Sequence, residues 1–406
     1  MEKVLILASI APMIESFNVP NIHLLQDEGY EVHVLANFKD KNNDANERNQ
    51  HFRNQLEQQG VKVFDVAIDR NPFEITNYSA YRKIKKIIDF ENYTIIHCHS
   101  PIGGVLTRLA ARESRKKRQT KVVYTAHGFH FFKGAPLKNW MMYYTVEKWL
   151  SRYTDCLITI NEEDYQTALD KKFKAKRIEK ISGVGINKNK FKPIDSNLKN
   201  QRRNLLGYNK EDFLLIYVGE LSKRKNQKLA INMMKIVSQK LPNVKLLLVG
   251  DGELREQYAQ QITDLQLENQ VFLLGYRTDV NQLMSIADIV ISTSTQEGLP
   301  VNLLEAMGTG LPIIATDCRG NRDLIHHGEN GYLVGLNDSE RLAAYVDTLY
   351  YSSKLRNDFG LKSLDYIDAY SVERVMSQMT QIYQMVNHVQ DLSAVNERKT
   401  VKVFTK

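Results

Sequence analysis

Short runs rich in Val, Ile and Leu recur along this chain at intervals that leave room for a helix between each pair, and that rhythm restricts the possible folds sharply. The first series is KVLILA (3–8), EVHVLA (31–36), VKVFDV (61–66), TIIHCH (94–99), KVVYTA (121–126) and DCLITI (155–160). Runs that are apolar on both faces and separated by amphipathic stretches predict parallel strands in a sheet covered by helices on both sides. The rhythm restarts at FLLIYVG (213–219) and continues through VKLLLVG (244–250), VFLLG (271–275), DIVIST (288–293) and PIIAT (312–316). Two doubly wound, Rossmann-like α/β domains are therefore expected, and 406 residues suffice for both at roughly 100 to 200 per domain. The division read from the sequence is a first domain over 1–187, a polar linker without either period over 188–204, a second domain over 205–370, a helix over 371–387 and a polar tail over 388–406. Ligands of such sheets sit at the carboxyl ends of the strands, so the two sets of strand ends are expected to face each other across one cleft.

Composition narrows the partners. Residues 101–250 hold 31 Lys and Arg against 12 Asp and Glu, whereas the rest of the chain holds 24 against 35, so the middle of the sequence is built to meet an anion. Three scattered cysteines, Cys98, Cys156 and Cys318, give neither a disulfide framework nor a CxxC spacing, which fits a reducing compartment. No apolar run approaches the roughly 18 residues of a membrane span, and KVLILAS at the start is too short for a secretory core.

The segment STSTQEGLPVNLLEAMGTGLPIIAT (292–316) is the most informative. Glu297 ends a strand-to-helix loop, Gly298 permits close backbone approach, and Pro300 suits a first helical turn because its missing N–H costs nothing there. Glu305 then lies about 7 to 8 Å along the helix. The free N–H groups of such a helix start suit a diphosphate, and carboxylates beside it suit sugar hydroxyls. By themselves the two residues also fit a solvated loop and an amphipathic surface. VGDGE (249–253) places Gly250 and Gly252 in another strand-to-helix turn, where they would let a nucleotide approach the backbone; no P-loop and no GxGxxG follows the first strand. His127 follows a strand of the first domain, and its ordinary pKa would leave either proton state accessible near neutrality. A metal cluster of His97, His99, His127 and His130 is the weaker reading, since no carboxylate completes a ligand set and Cys98 points to the opposite strand face. The basic stretch RESRKKRQTK (112–121) and the aromatics Phe129, Phe131, Phe132, Trp140, Tyr143 and Tyr144 suggest an anionic membrane surface; nucleic acid is disfavoured because no binding module accompanies them.

Taken together, HCHSPIGG (97–104), YTAHGFHFFKG (124–134), VGELSKRKNQ (218–227), VGDGE, EGLPVNLLE (297–305, an E-x7-E pattern) and GENGYLV (328–334) resemble the family 4 glycosyltransferases over nearly the whole chain. AHGFHFFKGAPLKNW followed by VEKWLS is similar to the branch that builds bacterial capsular polysaccharides and exopolysaccharides. The resemblance implies the GT-B fold, a last helix crossing back to the first domain, and retaining transfer from a nucleotide-sugar co-substrate without a metal or other cofactor; the sequence contains no Asp-x-Asp. It implies that Glu297 contacts the transferred sugar, Glu305 the ribose and Lys225 the diphosphate, that His127 faces the donor sugar, and that Gly219, Gly250, Gly252, Gly298 and Leu299 line the donor site. One departure matters: Glu220 stands where the family usually has an Arg, and Arg224 is expected to replace it.

The expected protein is thus a glycosyltransferase using a UDP-sugar, with UDP-N-acetylhexosamines among the candidates, and a lipid-linked saccharide acceptor. It would be cytoplasmic and peripheral on the inner face of the plasma membrane. The alternatives are a GT-B sugar-nucleotide epimerase, which needs no acceptor, and a non-enzymatic protein binding anionic lipid or nucleic acid through its basic middle.

Overall fold

The computed structural model describes residues 1–40 and 43–400, which divide into two compact units: Met1–Val184 together with the chain from Val375, and Gly185–Arg374. In the first unit β1 (Lys3–Ile10), β2 (Glu31–Asn37), β3 (Lys62–Asp65), β4 (Ile95–His99), β5 (Lys121–Ala126), β6 (Cys156–Thr159) and β7 (Arg177–Lys180) form one parallel sheet in the order β3-β2-β1-β4-β5-β6-β7. In the second, β8 (Phe213–Val218), β9 (Val244–Val249), β10 (Val271–Gly275), β11 (Ile289–Ser292), β12 (Ile313–Thr316) and β13 (Gly331–Val334) pair in parallel in the order β10-β9-β8-β11-β12-β13. Strand order reverses between β1 and β4 and again between β8 and β11, and such switch points open crevices at the carboxyl ends of the strands.

Burial explains why the strand runs read so clearly. Residues Val4 to Leu7, Ile95, Ile96, and Leu214 to Ile216 are fully buried, as both faces of each sheet are covered. All three cysteines are free and buried. Among the described residues no helix is long and apolar enough to cross a membrane.

Two stretches differ in detail from the sequence reading. The segment taken as an aperiodic linker carries the helix Ser196–Leu205, capped by Asp195 through the N–H groups of Asn197 and Leu198. Its Lys199 and Arg203 both reach Asp288 of the second unit, at 2.9 and 2.7 Å. Ionic rather than apolar contacts seat this helix, so it shows no hydrophobic period. The last helix, Val372–Thr400, continues beyond the limit read at residue 387, and residues 401–406 of the tail lie outside the described part of the chain. Its Val375, Met379, Ile382, Tyr383 and Val386 are buried within the first unit.

Candidate active site

In the second unit the loops after β8 and β11 meet at Glu297. The Glu297 carboxylate is buried and held by two cations: Lys225 Nζ lies 2.7 Å from Oε1 and Arg224 Nη1 lies 3.0 Å from Oε2. Burial alone would raise the pKa of this carboxyl, but Lys225 and then Arg224 outweigh it and hold the group below the usual range. Two positive charges on one carboxylate leave the cluster with a surplus of positive charge. The Arg224 side chain is 43% exposed, so the surplus is open to a ligand.

Backbone contacts fix this geometry. Thr295 N–H donates to the Arg224 carbonyl, Thr293 Oγ1 to that of Asn226, and Tyr217 O–H to that of Lys225. Asn226 itself takes a left-handed conformation, φ 51°, that turns the loop into the helix Gln227–Val237. Arg319, buried, donates from Nε to the Glu297 carbonyl at 2.9 Å. Gly320 has φ 80°, and a Cβ there would stand 2.6 Å from the Gly298 carbonyl oxygen, so only glycine lets this turn close over Glu297 and Gly298. Tyr217, Thr293 and Arg319 are contributors outside the candidate site residues of the sequence.

Gly298 and the buried Leu299 lead into the helix Val301–Gly308, whose N-cap is Pro300. Asn302 Nδ2 donates to the Val218 carbonyl, pinning the helix start to the end of β8. Glu305 lies in this helix, where burial pushes its carboxyl up to about 7 and Lys190 pulls it partly back. The glycines after β8 and β9 serve a purpose not foreseen. A Cβ on Gly250 would be 2.1 Å from the Gly219 carbonyl oxygen, and one on Gly252 2.5 Å from that of Leu221. Their close approach is to the neighbouring turn. Glu220 is exposed, and Gln227 holds only its backbone carbonyl.

His127 belongs to the first unit. Its Nε2 is 3.1 Å from His99 Nδ1, and the His99 ring lies 4.1 Å from that of His97, which is hydrogen-bonded to Thr125 and to Tyr383 of the last helix. Burial pushes His127 down to about 4 and His97 to about 3. The expectation that either proton state of His127 is accessible near neutrality is thus corrected: the imidazole is neutral there, and it offers hydrogen bonds without charge. Among the described residues no group of His, Cys, Asp or Glu is arranged to hold a metal ion.

The basic stretch 112–121 is largely occupied. Arg115 forks onto Asp155 at 2.9 Å through both Nε and Nη2, Arg118 donates to the Asp89 carbonyl, and Arg112 lies over the Tyr153 ring. Phe129 and Phe131 pack in the core with Trp140, Tyr144 and Phe173. The exposed apolar residues lie instead at Leu137, Met141, Met142, Val146 and Trp149, along a helical segment with a π turn over Trp140–Tyr144. Leu137 and Met141 are 82% and 77% exposed. Lys133, Lys138, Lys148 and Arg152 accompany them, and the single acid of that stretch, Glu147, is buried against Arg108 at 2.8 Å.

Residues 22–183 match the family description Glycosyltransferase Family 4, and residues 199–363 match Glycosyl transferases group 1. The chain is 39% identical to the glycosyltransferase EpsD of Bacillus subtilis (strain 168), over 94% of this chain and 96% of that protein. It is 30% identical to the UDP-Gal:alpha-D-GlcNAc-diphosphoundecaprenol alpha-1,3-galactosyltransferase of Escherichia coli, over 68% of this chain and 72% of that one. Among solved structures, Anabaena Alr3699/HepE in complex with UDP-glucose aligns with a TM-score of 0.74 over 95% of this chain and all of that one, at 22% identity. WaaG, a glycosyltransferase involved in lipopolysaccharide biosynthesis, aligns at 0.70 over 94% and 99%, at 16% identity. At those identities the likeness to the solved structures is one of fold.

Proposed function

The chain belongs to glycosyltransferase family 4, a retaining and metal-independent family with the GT-B fold, and from that premise we propose that it moves a sugar from a UDP-sugar to a lipid-linked saccharide in cell-surface polysaccharide synthesis. The observation that carries this reading is the Glu297 carboxylate locked between Lys225 and Arg224 beside a helix start. The UDP-galactose and diphosphoundecaprenol in the name of the Escherichia coli relative, and the UDP-glucose in the Anabaena complex, support the donor and acceptor classes.

In this reading Lys225, Arg224 and the backbone N–H groups of the helix start that follows Pro300 stabilise the departing diphosphate, which accepts the proton of the attacking acceptor hydroxyl; no protein nucleophile is needed. Glu297 orients the transferred sugar, and neutral His127 offers a hydrogen bond to it. Gly219, Gly250 and Gly252 shape the turns on which the nucleotide rests. The test is a panel of UDP- and GDP-sugars screened for thermal stabilisation, followed by transfer to a prenyl-diphosphate-linked saccharide. Stabilisation by a UDP-sugar with acceptor-dependent release of UDP is the expected result. Conversion of the donor sugar without any acceptor would indicate an epimerase instead.

Glu305 supplies a pH signature. It accepts hydrogen bonds from ribose hydroxyls best as a carboxylate, yet its pKa in the nucleotide-free protein is near 7. Affinity for a UDP-sugar, whose diphosphate does not titrate in this range, should therefore fall as pH drops through about 7, because binding must first remove a proton. Calorimetry across that range should give this slope for the wild type and a flat profile for Glu305→Gln. An identical slope in both would remove Glu305 from the ribose.

Attachment to an anionic membrane face belongs to the same reading, with Leu137, Met141, Val146 and Trp149 entering the lipid and Lys133, Lys138, Lys148 and Arg152 meeting its headgroups. Burying one such apolar side chain contributes ~1.5 to 3 kcal/mol. Leu137→Ser with Met141→Ser should lower vesicle binding by roughly a hundredfold or more while transfer to a short soluble acceptor persists. Failure of the wild type to sediment with anionic vesicles at low salt would overturn the membrane assignment.

A further inference from the structure

Behind His127 lies a second histidine that the transfer reaction, as derived above, leaves unused. β4 and β5 pair in parallel with His97 opposite Val123 and His99 opposite Thr125. Alternate residues of a strand share a face, so His97 and His99 line one side of β4, and His127 joins them just past the end of β5. His97 is fixed on both ring nitrogens, Nδ1 with the Tyr383 hydroxyl and Nε2 with Thr125 Oγ1, each at 2.8 Å. Its ring backs that of His99 at 4.1 Å, and the Phe17 ring lies 5.5 Å from that of His127. His99 is thus held in place while making a single hydrogen bond of its own, from Nδ1 to His127 Nε2 at 3.1 Å. Its Nε2 is buried without a partner.

The orphaned nitrogen decides which way that hydrogen bond runs. Burial, and then the neighbouring imidazoles, hold His99 well below its usual pKa, and burial does the same to His97 and His127, so each ring carries one proton near neutrality. With one proton per ring, each imidazole offers one donor and one acceptor. If His127 donated from Nε2, the His99 proton would have to sit on its own Nε2, leaving a buried N–H with no acceptor. If His99 donates from Nδ1, only a lone pair is left over. Orphaned buried N–H groups are the rarer of the two, which selects the second arrangement. His127 then accepts at Nε2 and carries its own proton on Nδ1, a nitrogen that makes no hydrogen bond among the described residues and is not sealed from solvent. A histidine side chain in water prefers its proton on Nε2, so the Nδ1–H form has to be imposed.

We propose that His99 is a positioning residue that sets the tautomer of His127, so that His127 presents an Nδ1–H donor to an oxygen of the transferred sugar. The inference rests on the glycosyltransferase reading and sharpens it. At that nitrogen His127 has no lone pair, so it cannot take the proton of the attacking hydroxyl, which is left to the departing diphosphate.

The test is nitrogen NMR of the full chain carrying isotope-labelled histidine, without ligand, in which the protonated ring nitrogen is read directly and the His127 signals are identified by their loss in His127→Phe. The expected result is a proton on His127 Nδ1 in the wild type and in His99→Asn, whose amide N–H can replace the His99 donor, and a move to Nε2 in His99→Phe. With a UDP-sugar and acceptor, kcat should fall roughly tenfold in His99→Phe and recover in His99→Asn, while the Kd of UDP stays the same in all three proteins. A proton on His127 Nε2 in the wild type, a wild-type tautomer or rate in His99→Phe, or no recovery in His99→Asn would each overturn the proposal. The wild-type spectrum decides it even if His99→Phe does not fold. A wild type that shows the Nδ1–H form yet transfers no sugar would instead remove the glycosyltransferase reading beneath it.

Discussion

Glu297→Gln should slow sugar transfer by roughly two to three orders of magnitude, on the order of 2 to 4 kcal/mol of transition-state stabilisation, while affinity for free UDP changes only a fewfold. The amide keeps the shape of the side chain and removes its charge. Lys225 and Arg224, which the carboxylate holds at 2.7 and 3.0 Å, then lose a competitor for the diphosphate, so nucleotide binding has no reason to collapse. What is lost is the negative charge that the proposed role of Glu297 sets beside the sugar, together with the fixed placement of the two cations. The check compares kcat with the calorimetric Kd of UDP, and equal losses in both would mean that Glu297 serves the nucleotide and not the sugar. Lys225→Ala is a poorer probe of the same cluster. It strips the nearest cation from a buried carboxylate and so confounds catalysis with folding.

The second large effect concerns the fold. Arg108 is 1% exposed, donates from Nε to the Gly104 carbonyl, lies 4.0 Å over the Tyr124 ring and finds its counter-charge in Glu147. Glu147→Ala leaves a guanidinium buried without that charge, which typically costs ~3 to 5 kcal/mol. For units of this size that corresponds to a loss of roughly 6 to 20 °C in Tm. The double variant Arg108→Met with Glu147→Leu removes both charges and should melt much closer to the wild type, since an apolar pair of similar volume is often neutral. Thermal melts of the three proteins decide it. A single variant as stable as the wild type would show that Arg108 finds water or another partner.

The sequence was informative where a residue's structural position depends on its immediate neighbours. Eleven strands are legible because each carries an apolar run, and nine of them are buried along most of their length, whereas β3 and β10 at the sheet edges are only partly buried. Two of the four edge strands, β7 with Arg177-Ile178-Glu179-Lys180 and β13 with Gly331-Tyr332-Leu333-Val334, are absent from the runs that the sequence pattern picks out. β7 lies at a sheet edge with both ends exposed, so nothing demands apolar side chains there. The start of the helix after Pro300 was likewise visible in a few adjacent residues. The pairing of Lys225 with Glu297 was not, because 72 residues separate them and only the adjacency of β8 and β11 brings their loops together. The same holds for Gly320 beneath Gly298 and for the Arg115 fork on Asp155, which turned a stretch legible as a basic patch into part of the first unit's framework. Proton states were hidden for a related reason: the three histidines titrate low because of burial, which no spacing records.

The return of the last helix to the first unit has a consequence for biosynthesis. A chain emerging from the ribosome completes all seven strands of the first sheet while Val375, Met379, Tyr383 and Val386 have still to be made, so His97 waits for its Tyr383 hydroxyl until the whole second unit has been synthesised. The second unit, continuous from Gly185 to Arg374, has no such wait. Vectorial synthesis usually lets the N-terminal domain finish first. Here the order is inverted: the domain begun first is the one sealed last, and a premature stop after the second domain would leave the opening one unfinished.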